Sequence, residues 1–121
     1  MRRVWDRALI VKGVLHPDDA VAAVEAGGDG ILVSNRGGRQ SDAAPSPAEV
    51  LPIIRDKVDG KATRLFDSGV RSGLDLALGA EAACCGRASL YTLAAVGDGG
   101  GSHFAGLIPE EFAVTMAQSG A

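Results

Sequence analysis

Four short apolar segments recur along the chain, at residues 8–12, 30–34, 63–67 and 80–85, each closing on glycine or polar residues. Their nearly unbroken apolar character predicts strands buried on both faces, as in a parallel sheet. A helix-like stretch follows each of them. Over 17–26, Pro17 suits the first helical turn, Asp18 and Asp19 suit the positive helix end, and Ala20, Val21, Val24 and the closing Gly27 complete the pattern. Next, Ser46-Pro47-Ala48-Glu49 has the form of a capping box with proline at the first position. Val50, Leu51, Ile54 and Val58 then make one apolar stripe, in a helix that Pro52 should bend. A third helix is expected from Ser72 to near Gly79, about two turns long. The last is expected over 109–119, with Glu110 and Glu111 in its first turn, Phe112 and Met116 on its buried side and Gly120 as its stop. A glycine-rich loop is expected between Gly97 and Gly106. Strand and helix therefore alternate four times, the βα repeat of a barrel or of a doubly wound sheet, and periodicity alone does not choose between them.

Composition narrows the function classes. Apolar residues make up 46% and charged residues 22% of 121, which calls for a packed core and excludes a disordered or collagen-like chain. No composition shift marks a second domain, so residues 1–121 are read as one domain, well short of the roughly 250 residues of a closed (β/α)8 barrel. A net charge of −3 gives no general attraction for nucleic acid or anionic lipid, so any phosphate site must be local. No apolar run reaches the roughly 18 residues of a membrane span, and Arg2-Arg3 precedes Val4-Trp5-Asp6-Arg7 rather than a signal-peptide stretch; a cytoplasmic protein is expected. Cys84 and Cys85 are sequence neighbours in an apolar segment, where a disulfide is disfavoured and buried free thiols are expected. Neither has a CxxC partner, so no metal site is read.

In parallel βα folds the polar residues at the carboxyl ends of strands face the ligand. Here these are Lys12, residues 34–40, residues 67–71, and Gly86-Arg87. Gly69 with Arg71 and Gly86 with Arg87, on the last two strands, form a candidate phosphate site, since glycine lets backbone N–H groups approach an anion.

Three ordered blocks, VKGVLHPDDAVAAVEAGGDGILVSNRGGRQSD, FDSGVRSGLDL and LGAEAACCGRASLYTLA, span nearly the whole chain. Together they resemble the FMN-dependent 2-hydroxyacid dehydrogenases and oxidases, the family of glycolate oxidase, lactate oxidase and mandelate dehydrogenase. The resemblance implies an α/β fold consisting of the C-terminal half, about four βα units, of a TIM (β/α)8 barrel. It implies FMN as cofactor and a small 2-hydroxyacid as substrate. Lys12 would lie against the N1 and O2 edge of the flavin, and Ser34 would hydrogen-bond it. Arg39 would hold the substrate carboxylate as a bidentate pair. Asp67, Ser68, Gly69, Val70 and Arg71 would reach the ribityl chain and phosphate, with Gly86 and Arg87 completing the phosphate cradle. The plainer alternatives are a solvated lysine for Lys12, a turn cap for Ser34, an Arg39–Asp42 surface pair, a helix N-terminal carboxylate for Asp67, and solvated charges for Arg71 and Arg87.

The chain also departs from the family. Arg36 stands where the family motif has the histidine that takes the substrate hydroxyl proton, and a guanidinium, far too basic to give up its proton near neutrality, cannot serve as that base. His16 and His103 match no catalytic position and are read as cap or surface residues. The helix after Arg71 is about four residues shorter than the family's, which would pull Gly86 and Arg87 out of register. Arg64 lies within the third strand, where an unpaired buried charge would be costly. With the first four βα units absent, the four strands have open edges, and a copy of this chain, a complementary half-barrel or low stability is expected. A non-catalytic flavin or phosphate-binding half-barrel, or a truncated gene product, is the alternative reading. An inosine monophosphate dehydrogenase type of barrel shares the glycine-rich phosphate loops but lacks support from the SNRGGRQ block.

Overall fold

The computed structural model describes residues 1–120. Strands β1 (Ile10–Val14), β2 (Gly30–Val33), β3 (Thr63–Phe66) and β4 (Ala82–Ala83) form one sheet in the order β1-β2-β3-β4, parallel throughout. Helices α1 (Pro17–Glu25), α2 (Pro47–Val58) and α3 (Gly73–Leu76) follow the first three strands, and α4 (Arg87–Val96) and α5 (Gly100–Ser119) follow the fourth. Sequential order with every connection through a helix is the arrangement of consecutive units in a (β/α)8 barrel. Among the described residues, no helix is long and apolar enough to cross a membrane.

Alternation along the strands sorts their side chains onto two faces. Val11, Ile31, Val33, Phe66 and Ala83 point toward the helices, where Ile31, Val33 and Phe66 join Leu51, Ile54 and Val58 of α2 and Ala20 of α1 in one buried cluster. Full burial of each such aliphatic or aromatic side chain contributes about 1.5–3 kcal/mol. Ile10, Lys12, Thr63 and Ala82 lie on the opposite face, and all four are exposed.

The caps explain several boundaries. Pro17 opens α1, the imidazole of His16 accepts from the Asp18 N–H at 3.3 Å, and Gly27 follows the helix at φ +94°. Pro47 opens α2, but the Ser46 hydroxyl makes no cap bond, so the expected capping box does not form there. The third helix is a single turn rather than two. Arg64 is not unpaired: its guanidinium meets the carboxylate of Glu81, which also accepts the Arg64 N–H at 2.7 Å. Those bonds hold the Glu81 carboxyl below its ordinary range.

The largest difference from the sequence reading lies after residue 86. A helix forms at Arg87–Val96 where none was expected, and the anticipated loop is only the turn Gly97–Gly99, since α5 already starts at Gly100 with Pro109 inside it. Tertiary packing overrides the weak helix propensity of those glycines. A side chain at Gly100 would lie 2.5 Å from the Thr92 carbonyl oxygen, and one at Gly73 would lie 2.1 Å from the Phe112 nitrogen, so both glycines permit close backbone contact of α5 with α4 and α3. Phe112 and Met116 are half-buried on α5, and Gly120 ends it at φ +75°. His103 is exposed on this helix rather than in a loop.

Candidate active site

All four strands run toward one end of the sheet, and the loops leaving them there line a single open cleft of about 870 Å³. Lys12 comes from β1, Arg36, Gly37, Arg39 and Gln40 from the segment after β2, residues 67–71 from the tip of β3, and residues 84–88 from the end of β4 and the start of α4. Of the residues expected to form the site, Lys12, Arg36, Arg39, Asp67, Ser68, Gly69, Val70, Arg71, Gly86 and Arg87 all line this cleft. Ser34 does not. It is buried beneath the floor, where its hydroxyl accepts the Arg36 N–H at 3.1 Å and lies 3.4 Å from the Ser68 hydroxyl.

The loop after β2 is built from its own sequence. The Asn35 carboxamide oxygen accepts from the N–H groups of Gly37 and Gly38 at 3.0 and 3.2 Å, a local turn that suits asparagine. Arg36 is left-handed at φ +58°, and Ser68 at the tip of β3 is left-handed at φ +71°. Non-glycine residues in this region cost about 1 kcal/mol and gather where surrounding structure has a use for them. The Ser68 hydroxyl joins the two tips, accepting the Gly37 N–H at 2.9 Å and donating to Asp67 at 2.7 Å.

Charge in the cleft is predominantly positive. Lys12, Arg36, Arg39, Arg71 and Arg87 face one lining carboxylate, Asp67, which Lys12 engages at 2.6 Å. Burial raises the Asp67 pKa, but donors from Lys12, Ser34 and Ser68 outweigh it and hold the carboxyl below its ordinary value. Arg36 points along the cleft with its guanidinium on Gln40 Oε1 and beside Gly13, where a β-carbon would lie 3.5 Å from Arg36 Nε. Arg39 donates to the Arg36 carbonyl at 3.2 Å rather than pairing with Asp42. Arg87 donates to the Gly37 carbonyl at 3.1 Å, tying the fourth unit to the second. Gly86 and Arg87 both line the cleft after the one-turn α3, so the short helix does not withdraw them from it.

Sequence reading missed Gly13, whose place inside a strand one residue after Lys12 was the available signal for close approach. It also expected buried cysteines. Cys84 is exposed and Cys85 half-buried, both on the cleft wall, because β4 ends at Ala83 and the chain turns before it is covered. Burial, then Cys84 and Asp75, push the Cys85 thiol up.

A family described as FMN-dependent dehydrogenase matches residues 1–121. The chain belongs to this family. L-lactate dehydrogenase of Alcaligenes faecalis is 52% identical over 120 residues, covering 96% of this chain and 32% of the relative. L-lactate dehydrogenase of Chromohalobacter salexigens is 48% identical over 125 residues, covering all of this chain and 32% of its own. A crystal structure of mandelate oxidase with benzoyl-formic acid superposes with a TM-score of 0.86 at 42% identity, over 96% of this chain and 36% of that one. The chain thus spans about a third of the length of the relatives it matches, and its fold is part of a TIM barrel.

FMN is the cofactor of this family, and the residues present fit it. A β-carbon built at Gly69 or Gly86 meets nothing within 4 Å, so backbone at both glycines opens on the cleft. No side chain caps the start of α4, whose first residues Arg87 and Ala88 line the cleft together with Arg71.

Proposed function

We propose that this chain forms the phosphate and substrate-carboxylate side of an FMN-dependent barrel that oxidises a small 2-hydroxyacid to a 2-oxoacid, and that Arg36 leaves it without the base this oxidation uses. Convergence of four arginines and a lysine on one cleft carries the reading.

Gly69, Val70, Arg71, Gly86 and Arg87 would hold the phosphate, with Asp67 and Ser68 toward the ribityl hydroxyls. Lys12, a cation on a short ion pair, would sit against the flavin edge that gains negative charge on reduction. Bound FMN supplies the electron acceptor for the hydride or its equivalent. Arg39 would clamp the substrate carboxylate, a task suited to its planar fork. Proton removal is the missing step. A guanidinium is not a general base at physiological pH. Asp67 is held below its ordinary value and the Cys85 thiol above its own, so neither is poised near neutrality. Loss of a general base costs on the order of 10²- to 10⁴-fold in rate. Arg36 instead offers a second cation to an anionic ligand, which favours product-like or carboxylate binding without turnover as the second reading.

Two measurements test this. Purified chain, alone or mixed with a polypeptide completing the barrel, should take up FMN and its visible absorption; protein that stays colourless after reconstitution refutes the flavin assignment. In the completed barrel, Arg36→His should allow flavin bleaching by lactate or mandelate while the arginine form stays oxidised. Bleaching by the arginine form overturns the base argument. A cytoplasmic setting belongs to the same proposal, supported by a composition ordinary for water-soluble domains.

A further inference from the structure

The segment 34–40 holds two arginines three residues apart and gives neither of them a carboxylate. Its backbone is fixed by its own side chains: the Ser34 hydroxyl accepts the Arg36 N–H at 3.1 Å, and the Asn35 carboxamide oxygen accepts the N–H groups of Gly37 and Gly38. The Arg36 guanidinium lies over Gly13, where a β-carbon would be 3.5 Å from its Nε, and donates through one terminal nitrogen to Gln40 Oε1. Arg39 donates through Nε to the Arg36 carbonyl at 3.2 Å. Both acceptors are neutral. Among the described residues no carboxylate lies within ion-pair distance of either arginine, Asp42 included, and Asp67 in the same cleft is engaged by Lys12. A guanidinium has five N–H donors, so each arginine keeps most of its own for a ligand.

We propose that Arg36 and Arg39 take the two carboxylates of one ligand, so that the cleft selects a small 2-hydroxy or 2-oxo dicarboxylate over the monocarboxylate of the same skeleton. This rests on the proposed role of Arg39 at the carboxylate beside the reacting carbon, and it gives Arg36 the carboxylate at the far end. Two like charges held on neutral acceptors repel each other, and a dianion relieves that repulsion more fully than a monoanion. Planar guanidinium forks suit carboxylates as partners. Gln40 holds the Arg36 fork over Gly13 before any ligand arrives, so little side-chain freedom is lost on binding. All of these contacts lie between Gly13 and Gln40, inside the first two βα units.

Calorimetric titration of the chain with L-malate and with L-lactate tests the pairing, since malate is lactate with a carboxylate on its methyl group. Malate is expected to bind about tenfold tighter or more, the effect of one added charge-assisted pair. In Arg36→Gln that advantage should vanish with lactate binding little changed. Lys61→Gln, which removes an exposed cation outside the cleft, should keep it. Arg36 acting only as a staple of its loop would shift Tm on substitution and leave the malate-to-lactate ratio alone. Equal affinities in the wild-type chain overturn the proposal, whatever the variants do. So does an advantage that survives Arg36→Gln, or one that Lys61→Gln removes equally, which would reflect net charge alone. Failure of both acids to bind overturns it as well. FMN uptake decides the flavin reading separately, so a chain that takes up FMN and does not prefer malate fails on this point only.

Discussion

The first three strands with α1 and α2 differ sharply in packing from the region after residue 72. In the former, Ile31, Val33, Leu51 and Ile54 are fully covered and Phe66 nearly so. In the latter, β4 has two residues, α3 is one turn and α4 has no buried residue at all. Both regions nonetheless contribute to one cleft. The well-packed part presents Lys12, Arg36, Arg39 and Asp67, while the thin part presents Gly86 and Arg87, joined to it by the Arg87 bond to Gly37. On the proposed assignment, a site divided in this way should have its substrate side preformed and its phosphate side held mainly by the anion it binds.

Phe66→Ala should have the largest effect, because it removes the biggest fully buried side chain. A loss of about 3–5 kcal/mol is expected in denaturant melts, enough to unfold the chain if the first region carries its stability. A milder and regional effect is expected from Gly73→Ala, since the added carbon collides with α5 backbone that cannot rotate away. About 1–3 kcal/mol should be lost, and hydrogen exchange should show α5 losing protection while α2 keeps it. Equal loss in both helices would show the two regions to be one cooperative unit.

Glu81→Gln probes the seam between β3 and β4. Its carboxyl is depressed from an ordinary 4.5 by the hydrogen bond from Arg64. The stabilisation is therefore fully present above that value and lost as pH falls through the lower folded one. With the carboxylate partly exposed, no more than about 1 kcal/mol should separate the variant from wild type at neutral pH, and the two should converge in acid. Ile53→Ala, at an exposed position on α2, should change stability by less than about 0.5 kcal/mol, which would locate the worth of that helix on its inner stripe.

The contrast between regions also governed what could be read from sequence. Strands β2 and β3 and helices α1 and α2 were legible because each is dictated locally, by apolar runs, by Pro17 and Pro47 and by the stripe through Leu51, Ile54 and Val58. The strand-tip cations were legible for a related reason, that parallel βα order alone sends them to one end. The first half of α5 was not, because its glycines disfavour a helix locally and only contacts distant in sequence overcome that preference. Arg64 was misjudged for the same reason: its partner Glu81 lies 17 residues away, on the approach to a strand too short to announce itself.

Gly13 sits at φ +92° in the irregular step of β1, and the guanidinium of Arg36 occupies the room above it. A smaller imidazole at 36 would vacate part of that room, and no side chain at 13 can refill it without backbone strain. Positions 13 and 36 are thus coupled: any side chain at 36 shorter than arginine would open that room to water, because the left-handed backbone at Gly13 bars its neighbour from filling it.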